Sequence, residues 1–235
     1  MEQAWKKINE ILWECSYKFS SGISRSLLVK INENKFLVYS PGDKRTADLA
    51  KDIVPEGSEL FLLAPNSYHN LGLAVWKASF PNSKPVAAVA AMGRLEKKTG
   101  IRSENLDVLE SQLPKHISLI ELPYNKIGEV WLDIQVPGER IWTVCDAIFN
   151  FSTLPGGFMG FLMKLNRMGP GIEMSRMYQY LGTSNKNGYG QWLLNEIREK
   201  KPTRLIPLHG EIYQSDDLIE KLETLAKSRL LNFAD

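Results

Sequence analysis

Apolar positions along the chain fall into short runs whose period separates helix from strand. Near the start, Trp5, Ile8, Leu12 and Cys15 recur three to four residues apart, which predicts an opening helix with one core-facing side. The runs "SLLVKI" and "KFLVYSP" then flank "NEN", whose asparagines suit turn conformations, so a β-hairpin is expected. "SELFLLAP" reads as a strand, "NLGLAVWKASFPN" as a helix stopped at Pro81, and "KPVAAVAA" as a short strand buried on both faces. Further on, "ENLDVLESQLPK" predicts a short helix and "ISLIELP", "EVWLDIQVP" and "RIWTVC" predict strands, the last two joined into a hairpin by the turn "PGE". From about 151 to 187 the character changes: "LPGGFMGFLMKLNRMGPG" is rich in glycine, methionine and phenylalanine and reads as an inserted, partly helical segment. "GYGQWLLNEIREKK" is then an amphipathic helix, "TRLIPLHG" a strand running into a loop, and "SDDLIEKLETLAKSRLL" a closing helix with Ser215 as its expected N-cap.

Composition narrows the class. With 235 residues, 43% of them hydrophobic, the chain can build one substantial core, so a single domain over 1–235 is expected. The 29 basic and 27 acidic residues are spread along the sequence, and a net charge of +2 announces no nucleic-acid partner. Cys15 and Cys145 are too few for a disulfide framework and read as reduced, buried thiols, which together with an N-terminus unlike a signal peptide points to the cytoplasm. The most apolar window, "PVAAVAAMG", is far shorter than the roughly 20 residues that span a bilayer, so no membrane partner is expected either.

The candidate chemistry sits at strand ends. Of the three histidines, His69 and His209 each follow an apolar strand, as does Asp146 in "RIWTVCDAIFN"; His116 opens a strand and reads as solvent-facing. A carboxylate at the end of an apolar strand loses solvation unless a cation or several donors compensate it. In α/β sheets the carboxyl ends of strands are also where distant residues converge on a ligand. Two imidazoles and one carboxylate can hold a divalent metal and leave a position open for water or substrate. The same three residues could also be a packed histidine, a capping aspartate and a loop histidine.

The order of these motifs, a hairpin ending in "VYSP", the histidine loop "APNSYHNLG", a strand of type "PVAAV", then "WTVCDAIF" and "LIPLHG", resembles the metallo-β-lactamase fold family from about residue 23 to the C-terminus. The resemblance implies a four-layer αββα sandwich of two mixed sheets. In that family the loop reads His-x-His-x-Asp-His before a glycine, a later aspartate bridges two metals, and a histidine ahead of a glycine ends the last core strand. Aligned on its final histidine, this chain presents Ala64, Asn66, Tyr68 and His69 at the four loop positions. The resemblance therefore implies a divergent branch with a reduced site, in which the first metal position is lost and His69, Asp146 and His209 hold one divalent metal, zinc first and iron or manganese after it.

On this reading the chain is a mononuclear metal-dependent hydrolase of a small substrate, with Asp146 and His209 as its catalytic residues and Asn66 and Tyr68 as substrate contacts. Those two residues read equally well as loop structure. The alternative function is a catalytically inactive binding or scaffold protein on the same fold. The segment at 151–187, with Phe158, Met159, Phe161, Met163 and Met168 between glycines, could close over the site or pack in the core; Arg167 and Arg176 could anchor an anionic substrate or be merely solvated.

Overall fold

Asn9 makes a turn near the start of the chain. Its side-chain oxygen accepts the backbone N–H of Ile11 at 3.0 Å, a local turn that competes with helix. The expected opening helix is replaced by two antiparallel strands, β1 (Lys6–Asn9) and β2 (Leu12–Phe19). β2 pairs along its whole length with β3 (Gly22–Asn32), from Leu12 opposite Val29 to Phe19 opposite Gly22. The three-to-four spacing of Trp5, Ile8, Leu12 and Cys15 was compatible with either element, and the eight-residue ladder with β3 is what a helix could not supply. The computed structural model describes residues 4–19, 22–154, 156–166 and 168–231; Arg167 and the side chains of Phe158 and Met159 lie outside what is described.

The chain divides into two compact units, Met1–Lys115 and His116–Asp235. The first carries a six-stranded sheet in sequence order. β3 and β4 (Lys35–Tyr39) form the expected hairpin, and the sheet turns parallel at β5 (Glu59–Leu63) and β6 (Lys84–Val86). The "PVAAVAA" run is only partly strand. After β6 it enters α3 (Val89–Thr99), because with few bulky side chains the alanines serve a helix as readily as a strand. The sequence patterns did not anticipate α1 (Lys44–Ala50), whose N-cap Asp43 accepts the N–H of Thr46 at 2.9 Å. α2 (Leu73–Ser79) and α4 (Leu106–Glu110) are where expected. Leu28, Val38, Leu60, Leu62, Trp76, Ala91 and Leu95 form one core cluster of this unit.

The second unit has a five-stranded sheet ordered β13-β12-β9-β8-β7, built from β7 (Ile117–Glu121), β8 (Val130–Val136), β9 (Glu139–Val144), β12 (Arg204–Pro207) and β13 (Tyr213–Gln214). The hairpin of β8 and β9 is confirmed, and β12 lies parallel to β9. The segment at 151–187 is mixed: β10 (Phe149–Phe151) pairs with β11 (Gly171–Glu173) around the helix α5 (Gly157–Leu165), and a π-helical turn, Tyr178–Gly182, follows. α6 (Lys186–Lys200) and α7 (Leu218–Arg229) cover a core in which Trp131 meets Trp142 and Trp192 with ring centroids 5.6 and 6.4 Å apart. The N-cap of α7 is Asp217, not Ser215. Its carboxylate accepts the Tyr213 hydroxyl at 2.6 Å and faces Lys221 at 3.0 Å, and these contacts pull its pKa down to about 2. Cys15 and Cys145 are both buried and unbridged. No helix among the described residues is long and apolar enough to cross a membrane.

Candidate metal centre

The parallel register of β9 and β12 sets the position of two candidate residues. Val144 and Pro207 are partners, so the strands end level with one another, and the Leu208 N–H extends the ladder one step to Val144 O at 2.9 Å. Asp146 and His209 each lie two residues past the last paired position and emerge side by side. His209 Nε2 is 3.2 Å from Asp146 Oδ1, with both side chains between a fifth and a third exposed.

The glycine after His209 is required by geometry. Gly210 has φ +97, and a Cβ there would lie 1.8 Å from the carbonyl oxygen of Asn150. That close approach lets Asn150 strap the loop: its N–H donates to His209 O at 3.3 Å, its carbonyl accepts the Glu211 N–H at 2.6 Å, and its Nδ2 donates to Glu211 O at 3.0 Å. "LHG" therefore ends its strand in a backbone conformation only glycine takes without strain, and the strap holds the histidine beside Asp146.

Behind the pair lies a residue the sequence patterns had not singled out. Glu129, wholly buried, accepts the Trp131 indole N–H at 2.7 Å and the Ala147 backbone N–H at 3.0 Å through Oε1, which ties the residue following Asp146 to the start of β8. Its second oxygen, Oε2, is buried with no hydrogen-bond partner among the described residues. Burial first, and the charge of Asp146 second, push its pKa from 4.5 up to about 8, so the carboxyl is predominantly protonated at neutral pH. The same two causes raise the Cys145 thiol well above its ordinary value.

In the first unit the loop after β5 carries His69. Asn66 organises it, with Oδ1 accepting the backbone N–H groups of Tyr68 at 2.8 Å and His69 at 3.1 Å. Ser40, just past β4, is the second missed residue. It sits in the left-handed region at φ 58, is wholly buried, and places its hydroxyl 2.9 Å from His69 Nδ1, while its carbonyl accepts the Ser26 hydroxyl at 2.6 Å. An Nδ1–H donated to Ser40 would leave the lone pair of the ring on Nε2. Gly72 lets this loop approach: a Cβ there would come within 2.1 Å of the carbonyl oxygens of Pro41 and Gly42. Tyr68 is 55% exposed, with the Arg94 guanidinium 4.3 Å from its ring centroid. Ala64 is buried, and His116 is exposed.

The donor set suits a divalent metal. Within the second unit Asp146 and His209 each offer one ligand atom. Two donors bound at about 2.1 Å on a tetrahedral ion sit roughly 3.4 Å apart, close to the 3.2 Å that separates Asp146 and His209.

No protein-family model matches the chain, and no curated protein matches it by sequence. Solved structures do match in three dimensions. A metallo-β-lactamase from Pseudomonas aeruginosa, solved in a mono-zinc form, superposes with a TM-score of 0.62 at 12% identity over 97% of this chain and 96% of its own. A metallo-β-lactamase from Hirschia baltica gives 0.60 at 11% identity over 96% and 98%. A flavo di-iron protein from Thermotoga maritima gives 0.60 at 14% identity, with 97% of this chain covering 61% of that one. The chain has the metallo-β-lactamase fold.

Proposed function

We propose that the protein is a mononuclear metal-dependent hydrolase acting on a small substrate, with His69, Asp146 and His209 as its metal ligands. The observation that carries this reading is the Asp146–His209 pair, held 3.2 Å apart at the level ends of two parallel strands; His69, oriented by Ser40 in the first unit, is the third ligand of the proposal. A divalent ion held by three such ligands supplies a water acidified toward neutral pH and a Lewis acid for the substrate's electrophilic centre. The chain's own part is orientation and proton handling. Ser40 holds the His69 ring, Asn150 and Gly210 hold His209, and the Glu129 carboxyl fixes the backbone that follows Asp146. The second oxygen of the Asp146 carboxylate would take a proton from water and return it to a leaving group, and His209 would be catalytic through its hold on the ion. In this reading the exposed Tyr68 hydroxyl is a donor for substrate, whereas Asn66, wholly buried with its Oδ1 serving the loop backbone, supports the loop and is not the substrate contact expected of it.

Zinc is the expected ion, with iron and manganese the alternatives, and the count follows from Ala64, Asn66 and Tyr68: at most one metal per chain. Elemental analysis of protein purified without chelator or metal affinity, combined with a turnover screen over esters, thioesters, lactones and phosphodiesters, tests the reading. His209→Ala should abolish both metal binding and turnover with little loss of stability, because two ligands hold an ion poorly. Wild-type protein that is metal-free, cannot be loaded and turns over nothing would leave the alternative, a binding or scaffold protein retaining the fold.

A further inference from the structure

Ten large apolar side chains stand exposed among the described residues, and five of them fall in two short helical turns of the second unit. On α5, Phe161 and Leu165 are 61% and 59% exposed and share a face at i and i+4. At the π-helical turn, Met177, Tyr180 and Leu181 are 60%, 67% and 67% exposed within five consecutive residues. The Arg176 N–H donates to Asn166 O at 2.9 Å, so Leu165 and Met177 flank a direct backbone link between the two elements. A packed core does not account for these side chains.

The polar groups beside them have one sign. Arg176, Gln179, Tyr180, Lys186 and Ser228 line a hollow of about 300 Å³ that contains no acid, and Lys186 Nζ lies 5.6 Å from the Tyr180 ring centroid. From 151 to 188 the sequence holds four basic residues, Lys164, Arg167, Arg176 and Lys186, against one acid, Glu173. That acid is taken up by Arg229, which forks onto its two oxygens at 2.7 and 2.9 Å. An apolar surface bordered by cations with no acidic partner among the described residues is the arrangement that seats at a bilayer interface, with apolar side chains at the acyl boundary and cations at the phosphates. A second copy of the chain would set cation against cation and is disfavoured by the same charges.

We propose that α5 and the π-helical turn dock the protein on an anionic phospholipid surface, with Phe161, Leu165, Met177 and Leu181 entering the interface and Arg176 and Lys186 taking lipid phosphates. This surface is separate from the proposed metal ligands and does not depend on that reading. It also departs from the expectation of no membrane partner, which rested on the absence of a spanning segment.

The full chain should co-sediment with vesicles of phosphatidylglycerol and stay in solution with vesicles of phosphatidylcholine. Phe161→Ser combined with Leu165→Ser should lower partitioning at least about tenfold, as should Arg176→Glu combined with Lys186→Glu, and added salt should weaken the wild type. Circular dichroism checks folding; should the first pair not fold, Met177→Ser with Leu181→Ser carries the same test on other exposed positions. Equal binding to both vesicles, no binding to either, or variants that partition like the wild type would overturn the proposal. So would a wild-type dimer in light scattering that the apolar variants abolish without any vesicle binding.

Discussion

Replacing Glu129 by Gln tests the electrostatics behind Asp146. The buried carboxyl has its pKa raised from 4.5 to about 8, by burial first and the Asp146 charge second. Since each unit is worth roughly 1.4 kcal/mol, the difference sets a ceiling of about 5 kcal/mol on the pH-dependent term. Relaxation around a newly ionised carboxylate reduces it, and about 2 to 4 kcal/mol is the expected size. The sign follows from proton binding. The folded state holds the proton more tightly than the unfolded chain, so this contribution is fully present below about pH 4.5, declines as pH rises, and is lost above about pH 8. Glutamine imitates the protonated acid. It keeps an acceptor for the Trp131 and Ala147 N–H groups and cannot ionise, so the variant should hold its stability through the window where the wild type loses it. Urea unfolding of chelator-treated protein at intervals from about pH 5 to about pH 9, with unchanged slopes, measures the difference free of metal linkage. Parallel profiles for the two proteins would refute the argument. Leucine at the same position cannot ionise either but leaves both donors unpaired, so it should lie about 2 to 4 kcal/mol below the glutamine variant at every pH.

Three further substitutions probe the supports of the site and its sheet. Gly210→Ala forces a side chain into a left-handed position already filled by the Asn150 carbonyl; it should cost about 2 to 4 kcal/mol in urea unfolding and loosen His209, and a loss under about 0.5 kcal/mol would contradict the strap. Ser40→Ala removes the hydroxyl that orients His69 and should weaken metal affinity about 10- to 100-fold in a competition titration at little cost to the fold; unchanged affinity would show that the contact does not orient the ring. Arg140→Met strips the forked partner, at 2.8 and 2.5 Å, from Asp133, which is 3% exposed; the unpaired carboxylate should lower stability by about 3 to 5 kcal/mol in urea unfolding at neutral pH, and combining it with Asp133→Asn should recover part of that loss, so an equal loss in the single and double variants would refute the charge argument.

What the sequence made legible was what local pattern encodes. The hairpins at 22–39 and 130–144 announced themselves through apolar runs on either side of the turn signals "NEN" and "PGE", and His69, Asp146 and His209 through placement just past apolar runs. The failures have equally local causes. The N-terminal spacing satisfied a helix and a strand pair alike, and the partner that decided between them, β3, is remote in the pattern if not in the chain. The alanines of "PVAAVAA" carry too little bulk to specify an element. Ser40 and Glu129 were hidden for a different reason: each acts through a side chain or backbone group far away in sequence, 29 residues to His69 and 18 to Ala147, and neither residue type is unusual where it stands. A ligand can be suspected from the residue that offers the lone pair, whereas a support is recognisable only once the fold has shown what it holds. Gly210 lies between these cases. The "LHG" string exposes it to view, yet the need for glycine comes from the Asn150 carbonyl, brought against it by β10, so the motif marks the position and the tertiary structure supplies its cause.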